Sequence, residues 1–287
     1  LLWIIRILWL LLPLGVGELL SEALTNRSSP VVVVVAVMSW GVWSVVLGAL
    51  LFPLPATLTV IRLLAPVPIL AGTISAVLAT PSALGWFGLV TAAAALAGVM
   101  SAEVGNAFVN GASYGDERRF TLRAPAVVAL AAAPLVWLVT VIPAFVAPLL
   151  LAAKAWVLGG IVAVVATLAA PLGWRILSRL ARRWLVFVPA GITVVDSLTL
   201  AESVLFPARD LQRLGPAHEG SPATDLTAGA TGLVLQIDVS APMEIVPTVR
   251  RGATANPVSV NSVLISPSRP GEVLSYAESR KLRVKRE

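Results

Sequence analysis

The sequence predicts a helical membrane bundle of about six spans, followed by a small antiparallel β domain closed by a C-terminal helix. Three observations predict it. Of the 287 residues, 57% are hydrophobic and 13% charged, about half the charged share of an ordinary soluble domain, and the mean hydropathy is +0.90. From Leu1 to about Trp174 the chain is almost continuously apolar, and the basic run Arg175–Arg183 ends that stretch. Beyond Arg183 the pattern turns to short β-type runs separated by turn residues. The expected division is a transmembrane domain over residues 1–183 and a β-rich domain over residues 184–287.

A span needs about 20 apolar residues, and that ruler marks Leu1–Leu20, Val31–Phe52, Thr57–Leu78, Leu84–Asn106, Ala124–Val141 and Pro148–Trp174. Pro143 and Pro148 are expected to frame the turn between the last two. The apolar run continues through that turn, so one long segment with a re-entrant piece, making five spans, is the alternative. The chain starts at Leu1 rather than Met, which suggests that a short N-terminal piece precedes it. Leu1–Leu20 is read as a retained span because it lacks a small-residue cleavage site and carries Pro13, Gly15, Gly17 and Glu18.

Lys and Arg in short loops favour the cytoplasmic side. With the N-terminus inside, the inner segments are Phe52–Arg62, Tyr114–Arg123 and the run ending at Arg183, all basic. The outer segments Ser21–Pro30, Ala79–Ser82 and Ile142–Ala147 contain only Arg27. Both termini are therefore expected in the cytoplasm of a plasma-membrane protein. Tryptophan favours the headgroup level: Trp3, Trp174 and Trp184 fall near the inner face and Trp86 and Trp156 near the outer one. Trp40, Trp43 and Trp137 fit better between helices.

Ionisable residues inside spans are costly and count as functional candidates. Arg62 with Glu103, and Glu18 with Lys154, lie at matching depths and are expected to pair and lock helices together; an ion or proton path through Arg62 and Glu103 is the rival reading. Ala94, Gly98 and Ala102, and Gly159 with Ala163, have the small-residue spacing that permits close helix contact. Pro13, Pro66, Pro68 and Pro134 are expected to kink their spans. No internal repeat of the inverted-transporter kind is visible.

In the last third, Trp184–Val188, the turn Pro189–Gly191 and Ile192–Val195 read as a hairpin. Further strands are expected at Ser203–Phe206, Gly232–Val239, Met243–Val249 and Val258–Ile265, with Gly215–Gly232 as a mobile loop. Ser268 or Pro270 opens a helix running to about Lys281, ahead of a basic tail to Arg286. The segments WLVFVPAGITVVD (Trp184–Asp196), FPARDLQRLG (Phe206–Gly215) and VLISPSRPGEVLSYAESR (Val263–Arg280) resemble the bacterial pleckstrin-homology-like (PH-like) domains attached to transmembrane helices. That resemblance implies binding or assembly, with no catalytic residues to transfer. The loop GASYGDERRFTLRAP and the Ala, Val and Leu bias resemble uncharacterised actinobacterial multi-span membrane proteins. Chains of this character include accessory subunits of the actinobacterial cytochrome bcc-aa3 respiratory supercomplex, which implies membrane-protein partners.

The sequence carries no Cys and one His, His218, in the expected loop. It shows no phosphate-binding glycine loop, no paired zinc-ligand spacing and no nucleophile elbow. Haem ligation through an axial His would need one in a span, and none lies there. The expectation is a non-catalytic accessory or scaffold subunit without cofactors. Its partners would be other integral membrane proteins and anionic lipids rather than nucleic acid, and a secondary transporter or lipid translocator is the alternative. Arg118, Arg119, Arg123, Arg175, Arg179, Arg182 and Arg183 are the candidate headgroup or docking contacts.

Overall fold

The structure is a computed structural model that describes residues 1–218, 220–248 and 256–285. The chain packs as two units: Leu1–Phe108 with Leu135–Leu177, and Val109–Pro134 with Ser178–Glu287. The packing boundary therefore differs from the sequence boundary at residue 183. An inter-helix segment has joined the β domain.

Among the described residues, six helical stretches are long and apolar enough to cross a membrane: Leu2–Leu24, Ser29–Leu51, Pro55–Leu78, Ala83–Met100, Val128–Ala152 and Trp156–Ala181. The protein is a multi-pass membrane protein. α1 (Leu2–Leu24) and α2 (Ser29–Leu51) form a hairpin. The third stretch consists of α3 (Pro55–Leu64) and α4 (Pro66–Leu78), broken at Ala65 where Pro66 and Pro68 remove donors. α5 (Ala83–Met100) stops at Ser101, whose extended backbone and side-chain oxygen start a separate short helix, α6 (Ala102–Asn110). The expected fourth span to Asn106 is thus too long at its C-terminal end.

The fifth stretch opens with a π-helical turn, Val128–Ala132, just ahead of Pro134, and continues as α7 (Ala133–Ala152). Pro143 and Pro148 lie within α7 instead of framing a turn. The turn comes later, at Ala153–Ala155, where the Lys154 amide donates to the Leu151 carbonyl and the Ala155 amide to the Leu150 carbonyl. Lys154 itself sits at φ 63°, the left-handed cap that usually takes glycine. α8 (Trp156–Ala181) completes the set.

Two devices hold the membrane unit together. Pro13 cannot donate to the Trp9 carbonyl four residues back, and the Trp43 indole donates to that carbonyl instead, at 2.9 Å. The Trp9 indole returns the bond to the Trp43 carbonyl at 3.0 Å. The second device is a close crossing of α1 and α5 at Gly15 and Gly88, where a Cβ on either glycine would collide with the other's backbone. Gly98 also meets Ile5 side-chain atoms, as a small-residue contact should. Among the interhelical tryptophans, Trp137 donates to the Leu63 carbonyl at 2.7 Å, beside the Pro66 break.

Among its described residues the β unit contains two four-stranded sheets. β1 (Arg118–Thr121), β2 (Arg183–Val188), β3 (Gly191–Asp196) and β4 (Val204–Pro207) follow one another in antiparallel order. The second sheet runs β5 (Leu211–Pro216), β7 (Leu235–Ile245), β8 (Val258–Ile265), β6 (Thr224–Asp225), with β6 parallel to β8. β7 joins two runs expected to be separate strands: its register shifts between Asp238 and Met243, around Pro242, so the strand bends there and continues. Val249, the expected end of the second run, lies outside the described residues, as does Arg286 of the basic tail. The Gly215–Gly232 stretch is anchored rather than loose, since it carries β6 and buries Leu226 and Ala230.

β1 comes from the segment between the fourth and fifth spans, where sequence reading expects only a loop. It pairs with β2, and its Thr121 carbonyl accepts from the Ser268 amide while the Arg123 amide donates to the Ser266 carbonyl. The strand therefore closes the seam between the sheets. α9 (Pro270–Ser279) buries Val273, Leu274 and Ala277 in the shared core. Tyr276 packs edge-on against Phe187 at 5.2 Å and tilted against Phe120 at 5.8 Å. Because β1 precedes α7 and β2 follows α8, the β1–β2 pairing requires those helices to return the chain to the side it left. That favours six crossings over five.

Candidate functional site

The candidate residues fall into three groups, and the structure treats each differently. Within the β unit, Arg183 opens β2 and Asp196 ends the antiparallel neighbour β3, so register places them opposite each other. Their side chains form a two-pronged bridge, Nε to Oδ1 at 2.8 Å and NH2 to Oδ2 at 2.7 Å, with exposures of 1% and 0%. The third guanidinium arm donates to the Arg123 carbonyl and Asp196 also accepts from the Leu198 amide. A charge this buried and this fully bonded cannot reach a headgroup, so Arg183 is a structural residue. Asp196 was the partner that sequence reading missed; an acid ending an apolar strand was its only signal.

Two more of the expected contacts are engaged internally. Arg119 bonds Glu117 at 3.0 Å and lies over the Trp184 ring at 5.8 Å. The bond from Arg119 holds the Glu117 carboxyl below the usual carboxylate range. Trp184 is a half-buried β2 side chain. Arg123 donates to the Thr231 carbonyl at 2.9 Å and fills the space beside Gly232. Asn110 stands in for a missing neighbouring strand, donating to the Arg119 carbonyl at 2.6 Å and accepting from its amide at 2.8 Å. Arg118 remains exposed.

The intramembrane pairs do not form. Glu103 lies in the first turn of α6, beyond the helix break at Ser101, 54% exposed and 3.7 Å from the Leu1 nitrogen. Arg62 sits in the last turn of α3 with its Nε buried and unbonded. Lys154 is in the α7–α8 turn, while Glu18 accepts at 2.6 Å from the Ser82 hydroxyl, which itself caps α5. Arg62 and Glu103 therefore form no ion pair, and the helix lock at Glu18 uses a serine. A Ser just before an apolar run is a legible N-cap, but its partner 64 residues away is not.

The third group lies at the end of one helix. Arg175 and Arg179 near the end of α8, and Arg182 just past its last residue, recur at helical spacing and are exposed. The same stripe continues back through Leu172, Leu168, Val164, Ile161 and Val157, which are 58% to 80% exposed. An apolar stripe that turns basic at its end has the chemistry of hydrocarbon followed by phosphate. Arg182 also bonds the Ser178 carbonyl at 3.3 Å, and the Ser197 hydroxyl donates to the Arg179 carbonyl at 3.4 Å. His218 is exposed in the β5–β6 connection. Comparison with known families, curated proteins and solved structures finds no match.

Proposed function

We propose that this protein is a non-catalytic accessory or scaffold subunit of a membrane-protein assembly, with the β unit as its docking element. The observation that carries the reading is β1. A segment between two spans is built into the seam of the β unit, so that unit is assembled from two separate stretches of the chain. A domain with one shared apolar core suits holding a partner in place. The single aromatic and aliphatic core shared by two sheets and α9 also agrees with a PH-like class, whose usual work is binding.

The positive-inside bias places the β unit and both termini in the cytoplasm. Arg175, Arg179 and Arg182 then meet the anionic lipids of the inner leaflet, and the exposed stripe of α8 meets lipid or a neighbouring span. A respiratory supercomplex is one assembly of this type. Purification in mild detergent from native membranes should recover an integral membrane partner in stoichiometric amount, and a solitary monomer under those conditions would sink the reading. A reporter fused after α9 should be active only as a cytoplasmic fusion.

A further inference from the structure

A groove of about 300 Å³ runs between α1, α2 and α4 in the membrane unit, walled by Trp9, Val16, Trp40, Trp43, Pro68 and Ala71. It extends from Trp9 to Leu24 along α1, which at the helical rise is roughly 22 Å. One leaflet offers roughly 15 Å of hydrocarbon. The two indoles nearest its inner end spend their N–H groups on backbone carbonyls, so the walls there present no donor to a guest. An apolar space of this size does not hold water stably, and left empty it forfeits dispersion contacts along every wall. The reciprocal Trp9–Trp43 bonds keep it from collapsing at that end. At the other end, Leu24 and Val32 line it on either side of the short α1–α2 turn, and Arg27 in that turn is exposed and makes no salt bridge among the described residues.

We infer that this groove holds one acyl chain of a bilayer phospholipid, with the phosphate at Arg27. Walls that are apolar apart from Ser21 and Ser39 select a hydrocarbon chain, and the cation in the α1–α2 turn beyond Leu24 selects a lipid that carries a phosphate there. The site is independent of the docking reading and of any partner.

The test uses the full-length protein in nanodiscs containing a phospholipid with a photoactivatable diazirine in its acyl chain. After irradiation and peptide mass spectrometry, adducts should concentrate several-fold on Val16–Leu20 and Val32–Trp43 over the exposed stripe of α8. Ala36→Trp, which fills the groove, should abolish that excess, and Ala71→Phe should do so from the opposite wall if the first variant misfolds. Arg27→Ala should reduce retention of phospholipid through detergent exchange several-fold. Equal labelling of groove and α8 in the wild-type protein would overturn the inference. So would displacement of the probe by a polyisoprenoid lipid but not by excess phospholipid.

Discussion

At the scale of single residues, burial decides what a charge does. Arg183 and Asp196 are each within 1% of full burial and satisfy one another on two bonds. Asp196→Ala leaves an uncompensated guanidinium in the core and is expected to destabilise the protein by about 3–5 kcal/mol, measured as a lowered thermal midpoint in detergent. Arg179→Ala, on an exposed helix end, should leave that midpoint nearly unchanged. Glu117 makes a pH prediction. Its folded pKa is depressed by the Arg119 bond, so its contribution is present above the ordinary Glu pKa of about 4.3 and is lost as pH falls through the lower folded value. The stability difference between wild type and Glu117→Gln should therefore be largest near neutrality and vanish in strong acid. A difference that grows on acidification contradicts the assignment.

At the scale of elements, proline and glycine create the contacts that other side chains exploit. Pro13 frees the Trp9 carbonyl and Trp43 takes it. Trp43→Phe should cost about 0.6–2 kcal/mol for the lost interhelical bond. In a Pro13→Ala background the carbonyl regains a backbone donor, so the same substitution should cost less. The coupling is read by a double-mutant cycle on thermal unfolding in one detergent. Gly88→Ala drives a methyl into the α1 backbone at Gly15 and should separate α1 from α5, seen as a drop in midpoint larger than that of Gly17→Ala, which meets open space. The same physics explains the misplaced fifth turn. Pro143 and Pro148 look like punctuation in a soluble chain, yet a membrane helix tolerates them because leaving the helix in lipid would expose more unsatisfied backbone than proline removes.

At the scale of the molecule, β1 decides how the chain is divided. Phe120 on β1 is 2% exposed and stacks edge-on against Phe187 at 5.7 Å. Residues 178–287 expressed alone lack that strand and expose the edge of β2 with the Phe187 face beside it. They are expected to aggregate or give a poorly dispersed NMR spectrum. The same fragment with residues 112–125 fused through a flexible linker should give a dispersed one. A well-folded 178–287 fragment would show that β1 is an ornament on the domain rather than part of it. The basic loop around Arg118 and Arg119 reads as topology signal in the sequence because Asp116, Glu117 and the arginines dominate it. Its four-residue strand is too short to show a period.

Composition and periodicity were enough to determine a multi-pass helical half, its approximate spans, the hairpin at Pro189–Gly191, and the closing helix at Pro270. Those properties are local: apolar length, alternation and caps act within a few residues of themselves. Tertiary structure alone decided that Arg183 is buried rather than offered to lipid, that Glu18 answers Ser82 and not Lys154, and that a loop between spans completes the β unit. Each depends on a partner far away in sequence, and a hydrogen bond or a buried charge has no signature until the fold delivers that partner within about 3 Å.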